Sequence, residues 1–268
     1  MKISRVFFLL LALIFSLFAC NKDGDDQTDD TATQQPRLIF KFKFDTAQVR
    51  LNELGMPEVV PAGNAAQHPD FNYMSAHYIE LTPSAFTALG TGSVLYHAPQ
   101  TNAGGADAID FQQSVLVGED EVFQSFKLSD LTPGTYEYLR VSLAYQNYDI
   151  MVRQSGLDFP ATVASFIGFN TYITDYEINT ESVDVNDDKL QGYWGVEANV
   201  LGTPYVVTGQ APPGATTVPN PLFATSAVPA GSCVVTGEFA SPLVITGSET
   251  EDIVVIISLS TNRSFEWT

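Results

Sequence analysis

Three histidines, His68, His77 and His97, fall within one thirty-residue stretch, and the chain contains no others. Imidazole is the commonest transition-metal ligand, so copper, zinc and haem chemistry are the first to weigh. His77 and His97 stand at strand positions in Ser75-Ala76-His77-Tyr78-Ile79-Glu80-Leu81 and Ser93-Val94-Leu95-Tyr96-His97. Antiparallel pairing of those strands would bring the two rings onto one face as a metal or haem site. No HxH, HExxH or CxxH spacing accompanies them, so surface or hydrogen-bonded histidine is the competing reading. Asp184-Val185-Asn186-Asp187-Asp188 supplies alternating oxygen ligands of the kind calcium loops use. Its sixth position is Lys189 rather than glycine and its twelfth is Gly195 rather than a bidentate glutamate, so an acidic hairpin tip is preferred to a calcium loop. Glu119-Asp120-Glu121, after Gly118, reads as a solvated turn.

Nucleophilic catalysis has no local signature here. Neither Gly-x-Ser-x-Gly nor Ser-x-x-Lys occurs, and Gly90-Thr91-Gly92 lacks the third glycine of a dinucleotide loop. Triads and carboxylate pairs are defined in space, so a surface hydrolase stays as an alternative. Aromatic residues offer recognition instead of catalysis. Tyr193, Trp194, Tyr205 and Phe223 lie near or within a proline-rich segment, where flat rings stack on sugar faces or anchor a protein partner. Trp194 and Tyr193 are the ligand-binding candidates, against the alternative that such rings fill a β core.

The elements that must position these groups are strands. Of 268 residues 45% are hydrophobic and only 16% charged, with 19 glycines, 15 prolines and 12% aromatics, which favours short strands joined by many turns. Arg37–Phe44 alternates Phe40, Phe42 and Phe44 with Lys41 and Lys43, the period of a half-buried strand. Similar runs recur from Ala76 to Trp267, including Tyr136–Tyr145, Tyr148–Arg153, Thr162–Phe169 and Leu190–Val196. Leu131-Thr132-Pro133-Gly134 has the chemistry of a turn, and Asn186-Asp187-Asp188 that of a hairpin tip. Pro83–Leu89 reads as a two-turn helix ending before Gly90. Pro212, Pro213, Pro219, Pro221 and Pro229 make the stretch between Gly209 and Gly231 a long, stiff loop. Ile253–Leu259 is continuously apolar, which predicts a central strand. The expected fold is a single all-β domain over 37–268. It is a β-sandwich, immunoglobulin-like or jelly-roll-like, with long Pro/Gly-rich loops and at most one or two short helices.

The N-terminus reads as an address. Lys2 and Arg5 precede an apolar run of about thirteen residues that stops at Ala19-Cys20, short of the roughly twenty a spanning helix needs. Leu17-Phe18-Ala19-Cys20 resembles a bacterial lipobox, which implies a signal peptide over 1–19, lipidation of Cys20 and a membrane anchor. Residues 20–36 then form an acidic tether, and Cys-Asn-Lys-Asp-Gly-Asp-Asp resembles the export signals of surface-exposed Bacteroidetes lipoproteins. That resemblance implies the outer face of the outer membrane, with the periplasmic face as the alternative. It also draws attention to Asp30-Thr31-Ala32 and Asp45-Thr46-Ala47, which look like that group's O-glycosylation sites. With Cys20 lipidated, Cys233 has no disulfide partner and reads as a buried strand residue. The formal charge of −19 becomes −21 once Lys2 and Arg5 leave, with 10 basic against 31 acidic groups, so nucleic acid is excluded as a partner.

Phe42-Lys43-Phe44-Asp45, Ala108-Ile109-Asp110-Phe111, Pro133–Val141 and Gly192-Tyr193-Trp194 together resemble the β-sandwich family of methanobactin-associated, copper-linked partner proteins. Gln146-Asn147-Tyr148 stands where that family has an Asn-His step, so the resemblance implies the fold and carries over no copper ligands. A likeness to haem-binding surface lipoproteins rests on Thr101-Asn102-Ala103-Gly104-Gly105 alone. The expected function is a non-catalytic binding or adhesion module for a glycan, a protein or a small nutrient. A copper or haem carrier using His77 and His97 is the alternative, and a surface hydrolase the third.

Overall fold

The computed structural model describes residues 35–50, 57–212 and 234–267. The signal peptide, Cys20, the tether before Gln35, Asp30-Thr31-Ala32, Phe223, Cys233 and the prolines from Pro213 to Pro229 lie outside the described residues. Among the described residues sixteen strands follow one another: β1 Arg37–Asp45, β2 Ala65–Gln67, β3 Asp70–Thr82, β4 Ser93–His97, β5 Gln100–Thr101, β6 Ala108–Asp110, β7 Val122–Lys127 and β8 Gly134–Gln154, then β9 Leu157–Phe166, β10 Thr171–Glu177, β11 Ser182–Lys189, β12 Tyr193–Val200, β13 Thr203–Gln210, β14 Val234–Ile245, β15 Ile253–Ser260 and β16 Phe265–Trp267. Single 3-10 turns at Phe111–Gln113 and Leu128–Asp130 are the helical elements among the described residues. No helix among those residues is long and apolar enough to cross a membrane.

The expected all-β sandwich is present, and it has three layers. A seven-stranded sheet, in the order β13-β12-β9-β8-β3-β4 with β14 also on β8, forms the middle. On one face lies the three-stranded sheet β15-β1-β7, and between them Leu38, Phe40 and Phe42 of β1 meet Ile79, Leu81, Leu139 and Val141. Leu38, Phe40 and Phe42 are completely buried, each contributing about 1.5–3 kcal/mol. On the other face lies the four-stranded sheet β11-β10-β6-β5, where Tyr145, Ala164, Phe166, Ile173, Tyr176 and Tyr193 form a second core. β9 is covered on both faces, Ala164 and Phe166 lying in the second core and Ala161 and Val163 in a smaller cluster with Tyr148 and Ile150, so Ala161–Phe166 is buried at every position instead of alternating.

β8 serves both cores through a bulge. Ser75 pairs with Tyr145 and Ala76 with Leu143, leaving Ala144 as the extra residue, and its carbonyl accepts the amides of Ile167 and Gly168 at 2.9 and 2.8 Å. The side chains change face at that point: Leu139 and Val141 enter the first core, Tyr145 the second. The sequence divides this 21-residue strand into two at Gln146-Asn147, and the structure carries it straight through. At its start Tyr136 donates its hydroxyl to Thr132 O at 2.8 Å, pinning the Pro133-Gly134 turn.

Three local expectations are corrected. Pro83–Leu89 is not a helix but a series of turns, because its carbonyls are spent on a buried arginine. Arg140, 1% exposed, donates from Nη2 to Ala85 O at 3.0 Å and to Thr87 O, while its Nη1 lies 3.5 Å from Glu80 Oε2. Glu80, fully buried, takes the amide of Gly92 at 2.7 Å on its other oxygen, so the ion pair fastens both ends of the loop. Asn186-Asp187-Asp188 is no hairpin tip, since β11 runs to Lys189 along β10 and absorbs the turn residue Asn186, at φ 50°, as an irregularity. Ile253–Leu259 is not central. β15 lies at a sheet edge, parallel to β1 alone, and its apolar outer residues Val254 and Ile256 stay 51% and 47% exposed.

Candidate functional site, a polar groove on the central sheet

The second core covers only part of its face of the seven-stranded sheet. Beyond the turn from Ile178 to Glu181, which joins β10 to β11, the same face of β8, β9 and β12 changes from apolar to polar. Strand register fixes the arrangement: Asp70 stands opposite Asp149, Asp149 opposite Thr162, and Thr162 opposite Glu197. Four strands at about 4.8 Å spacing spread this row over roughly 14 Å. The row floors an open cleft of about 280 Å³, with Gln67, Asn179 and Asn199 at its margins and Met151 and Pro160 as its apolar part.

Except for Asp70, each member of the row is held by an identifiable contact. Glu197, 4% exposed, accepts the amides of Asn179, Thr180 and Glu181 at 2.9–3.0 Å and the Thr180 hydroxyl at 2.6 Å. Burial alone would raise its pKa, but the Thr180 hydroxyl and those three amides outweigh it and hold the carboxylate below its ordinary range. Asn147 adds a bond from Nδ2 to Ile178 O at 2.8 Å, so the turn is tied to the sheet at both ends. Asp149 accepts the Thr162 hydroxyl at 2.6 Å. Gln67 bridges Met151, donating to its carbonyl and accepting from its amide, both at 2.9 Å. His68, the third histidine, accepts the amide of Arg263 on Nδ1 at 3.1 Å, which places the neutral ring's proton on Nε2.

Among the described residues no lysine or arginine lines the cleft, although Asp70 and Asp149 face each other directly. Like charges at that spacing repel, so the cleft favours donors: hydroxyls, amides or an ammonium group. Glu197 is poorly suited to general-acid work, because its hydrogen bonds stabilise the charged form.

The sequence-derived candidates are placed elsewhere. β3 and β4 do pair antiparallel, but His97 stands opposite Tyr78, and their rings meet edge to face at 6.1 Å. His77, one residue earlier, accepts the Ala98 amide on its carbonyl at 2.8 Å and stands where β3 slips register against β8, between Ala76 and Tyr78. Burial, followed by the His97 charge, lowers the pKa of His77 to about 4, so its ring is neutral at physiological pH. Asp184, Asp187 and Asp188 are strung along β11, with Asp188 accepting the Ala106 amide at 3.2 Å. They form no calcium loop, and among the described residues no group of three or more His, Cys, Asp or Glu side chains converges on a metal position. Tyr193 is buried in the second core against Phe166 and Tyr176, not at a ligand surface. Trp194 points to the opposite face from the groove and lies over Gly209 on β13, where a Cβ would strike its ring.

Sequence reasoning missed the groove, and one signal could have found it. Tyr145, Asn147 and Asp149 alternate along β8, as do Phe166, Ala164 and Thr162 along β9, each passing from apolar to polar within one face. Compared with protein-family models, curated proteins and solved structures, the chain finds no match.

Proposed function

We propose that the protein is a lipid-anchored, non-catalytic binding module at the outer face of an outer membrane, and that its groove takes a hydroxyl-rich ligand of the glycan class. The observation that carries this reading is the register-fixed row Asp70, Asp149, Thr162 and Glu197 across four strands. Carboxylate and amide side chains held in place are suited to paired sugar hydroxyls, and Met151 and Pro160 supply an apolar surface for a sugar's C–H face. The charge of −19, and a cleft without lysine or arginine among the described residues, select neutral or amino sugars over uronic or sulfated ones. The lipobox resemblance ending at Cys20 supports the anchor.

Glycan-array screening of the chain from residue 21 onward, followed by titration of wild type and Asp70→Ala, tests the groove. The Asp70 side chain makes no hydrogen bond among the described residues, so its loss is expected to weaken ligand binding at least tenfold without lowering the unfolding midpoint. Full-strength binding by Asp70→Ala, or release of new reducing ends from a bound glycan, would overturn the proposal. For the anchor, Cys20→Ala is expected to abolish lipid labelling and membrane retention.

A further inference from the structure

Edge strands offer unpaired backbone groups to any second strand, and proteins block them with charges, prolines or bulges. Among the described residues, four strands of eight or more residues end a ladder. β11 carries Asp184, Asp187, Asp188 and Lys189; β13 carries Pro204; β14 carries Glu238 and Pro242. β15, Ile-Val-Val-Ile-Ile-Ser-Leu-Ser, carries none of these. Among the described residues it pairs only with β1, in an unbroken register of eight residues with no bulge to turn the edge away. Its outward side chains Val254 and Ile256 are about half exposed.

We infer that β15 is a self-association edge, on which a second copy of this chain adds antiparallel about a two-fold axis. The occupant is specified by charge at the two ends of the strand. Glu249, Glu251 and Asp252 precede it and Arg263 follows it. An antiparallel pair centred on Ile257, which keeps outward residues opposite outward ones as a two-fold axis requires, brings Glu251 in the bend before one strand to the level of Arg263 in the turn after the other. Arg263 is exposed, and its guanidinium has no partner among the described residues. Each two-fold contact thus makes this charge pairing twice, which is the self-complementarity an isologous interface requires. Parallel addition would set acids beside acids. The middle of the strand is uncharged, so two molecules of strongly negative charge meet along their least repulsive edge. The three-stranded sheet then becomes a continuous sheet of six strands. The polar groove lies on the opposite face of the central sheet, so pairing leaves both grooves open; the inference does not depend on what the groove binds.

The test is the mass of the chain from residue 21 by sedimentation equilibrium across a wide concentration range. Wild type is expected to show a concentration-dependent dimer, and Ile256→Lys, an exposed outward substitution, is expected to weaken it at least tenfold with its unfolding midpoint unchanged. Arg263→Glu is expected to weaken it as well, and Arg263→Glu combined with Glu251→Arg to restore it. A monomer at every concentration, or a dimer indifferent to Ile256→Lys, would overturn the inference. Failure of the charge exchange to restore association would overturn the antiparallel arrangement.

Discussion

Removing Arg140 should cost this protein more than almost any other single polar substitution, and the structure sets the size. Arg140→Met keeps most of the side-chain volume and deletes the guanidinium. Glu80 then stays fully buried, with the Gly92 amide still on its other oxygen but no cation beside it. The carbonyls of Ala85 and Thr87 also lose their donor, but they belong to an exposed loop and can turn to water. The largest loss therefore comes from the stranded carboxylate, since breaking one side of a buried pair costs about 3–5 kcal/mol. At roughly 2–4 °C per kcal/mol for a domain of this size, the unfolding midpoint should fall by about 6–20 °C. Glu80→Gln in the same background removes the stranded charge while keeping an acceptor for Gly92, and should recover at least ~1 kcal/mol, a coupling typical of residues in one network. Urea unfolding measures the loss, and amide exchange at Gly92 reports whether the 83–92 loop has come free. A loss below about 1 kcal/mol with unchanged protection at Gly92 would refute the view that this pair determines the loop.

Glu197→Gln should loosen the Ile178–Glu181 turn by about 1–3 kcal/mol, as charge-assisted bonds become neutral ones; amide exchange at Asn179, Thr180 and Glu181 checks this. Because the pKa of Glu197 is depressed in the folded chain, its contribution is complete above the unfolded value of 4.5 and is lost as pH falls through the folded value, so wild type should lose more stability than Glu197→Gln in acid urea titrations. His77, also depressed but a base, favours the folded state fully above 6.5 and progressively less down to about 4; NMR titration should find its ring neutral at pH 6. Gly168→Ala should destabilise by about 1–3 kcal/mol, since the new Cβ would lie 2.9 Å from the Ala144 backbone at the bulge; thermal unfolding measures it.

Period-two patterns reveal the strands and the all-β class, because alternation depends only on which residues face a core. The number of layers does not follow from them. A run such as Ala161–Phe166, apolar or small on both faces, says that a strand is covered twice without saying by what. Conversely, the continuous apolar run in β15 reads as burial on two faces, yet one face meets solvent, because an exposed isoleucine is locally indistinguishable from a buried one. The expected helix at 83–89 obeys every local rule and loses to Arg140, a residue more than fifty positions away in sequence. The groove is hidden for a related reason. Asp70, Asp149, Thr162 and Glu197 become neighbours only through the registers of four strands; alternation within β8 or β9 marks a polar stretch of one face without saying which strands join it.

The position of β1 also bears on how the protein meets mechanical load. Tension arriving through residue 36 enters β1 along its own axis, and β1 is held on both flanks, by eight register pairs with β15 and five with β7. Such a pull shears the ladders, so their hydrogen bonds share the load together instead of opening one after another. Leu38, Phe40 and Phe42 would have to slide out of the first core in the same movement. A molecule held at that end would thus resist at its best-packed strand.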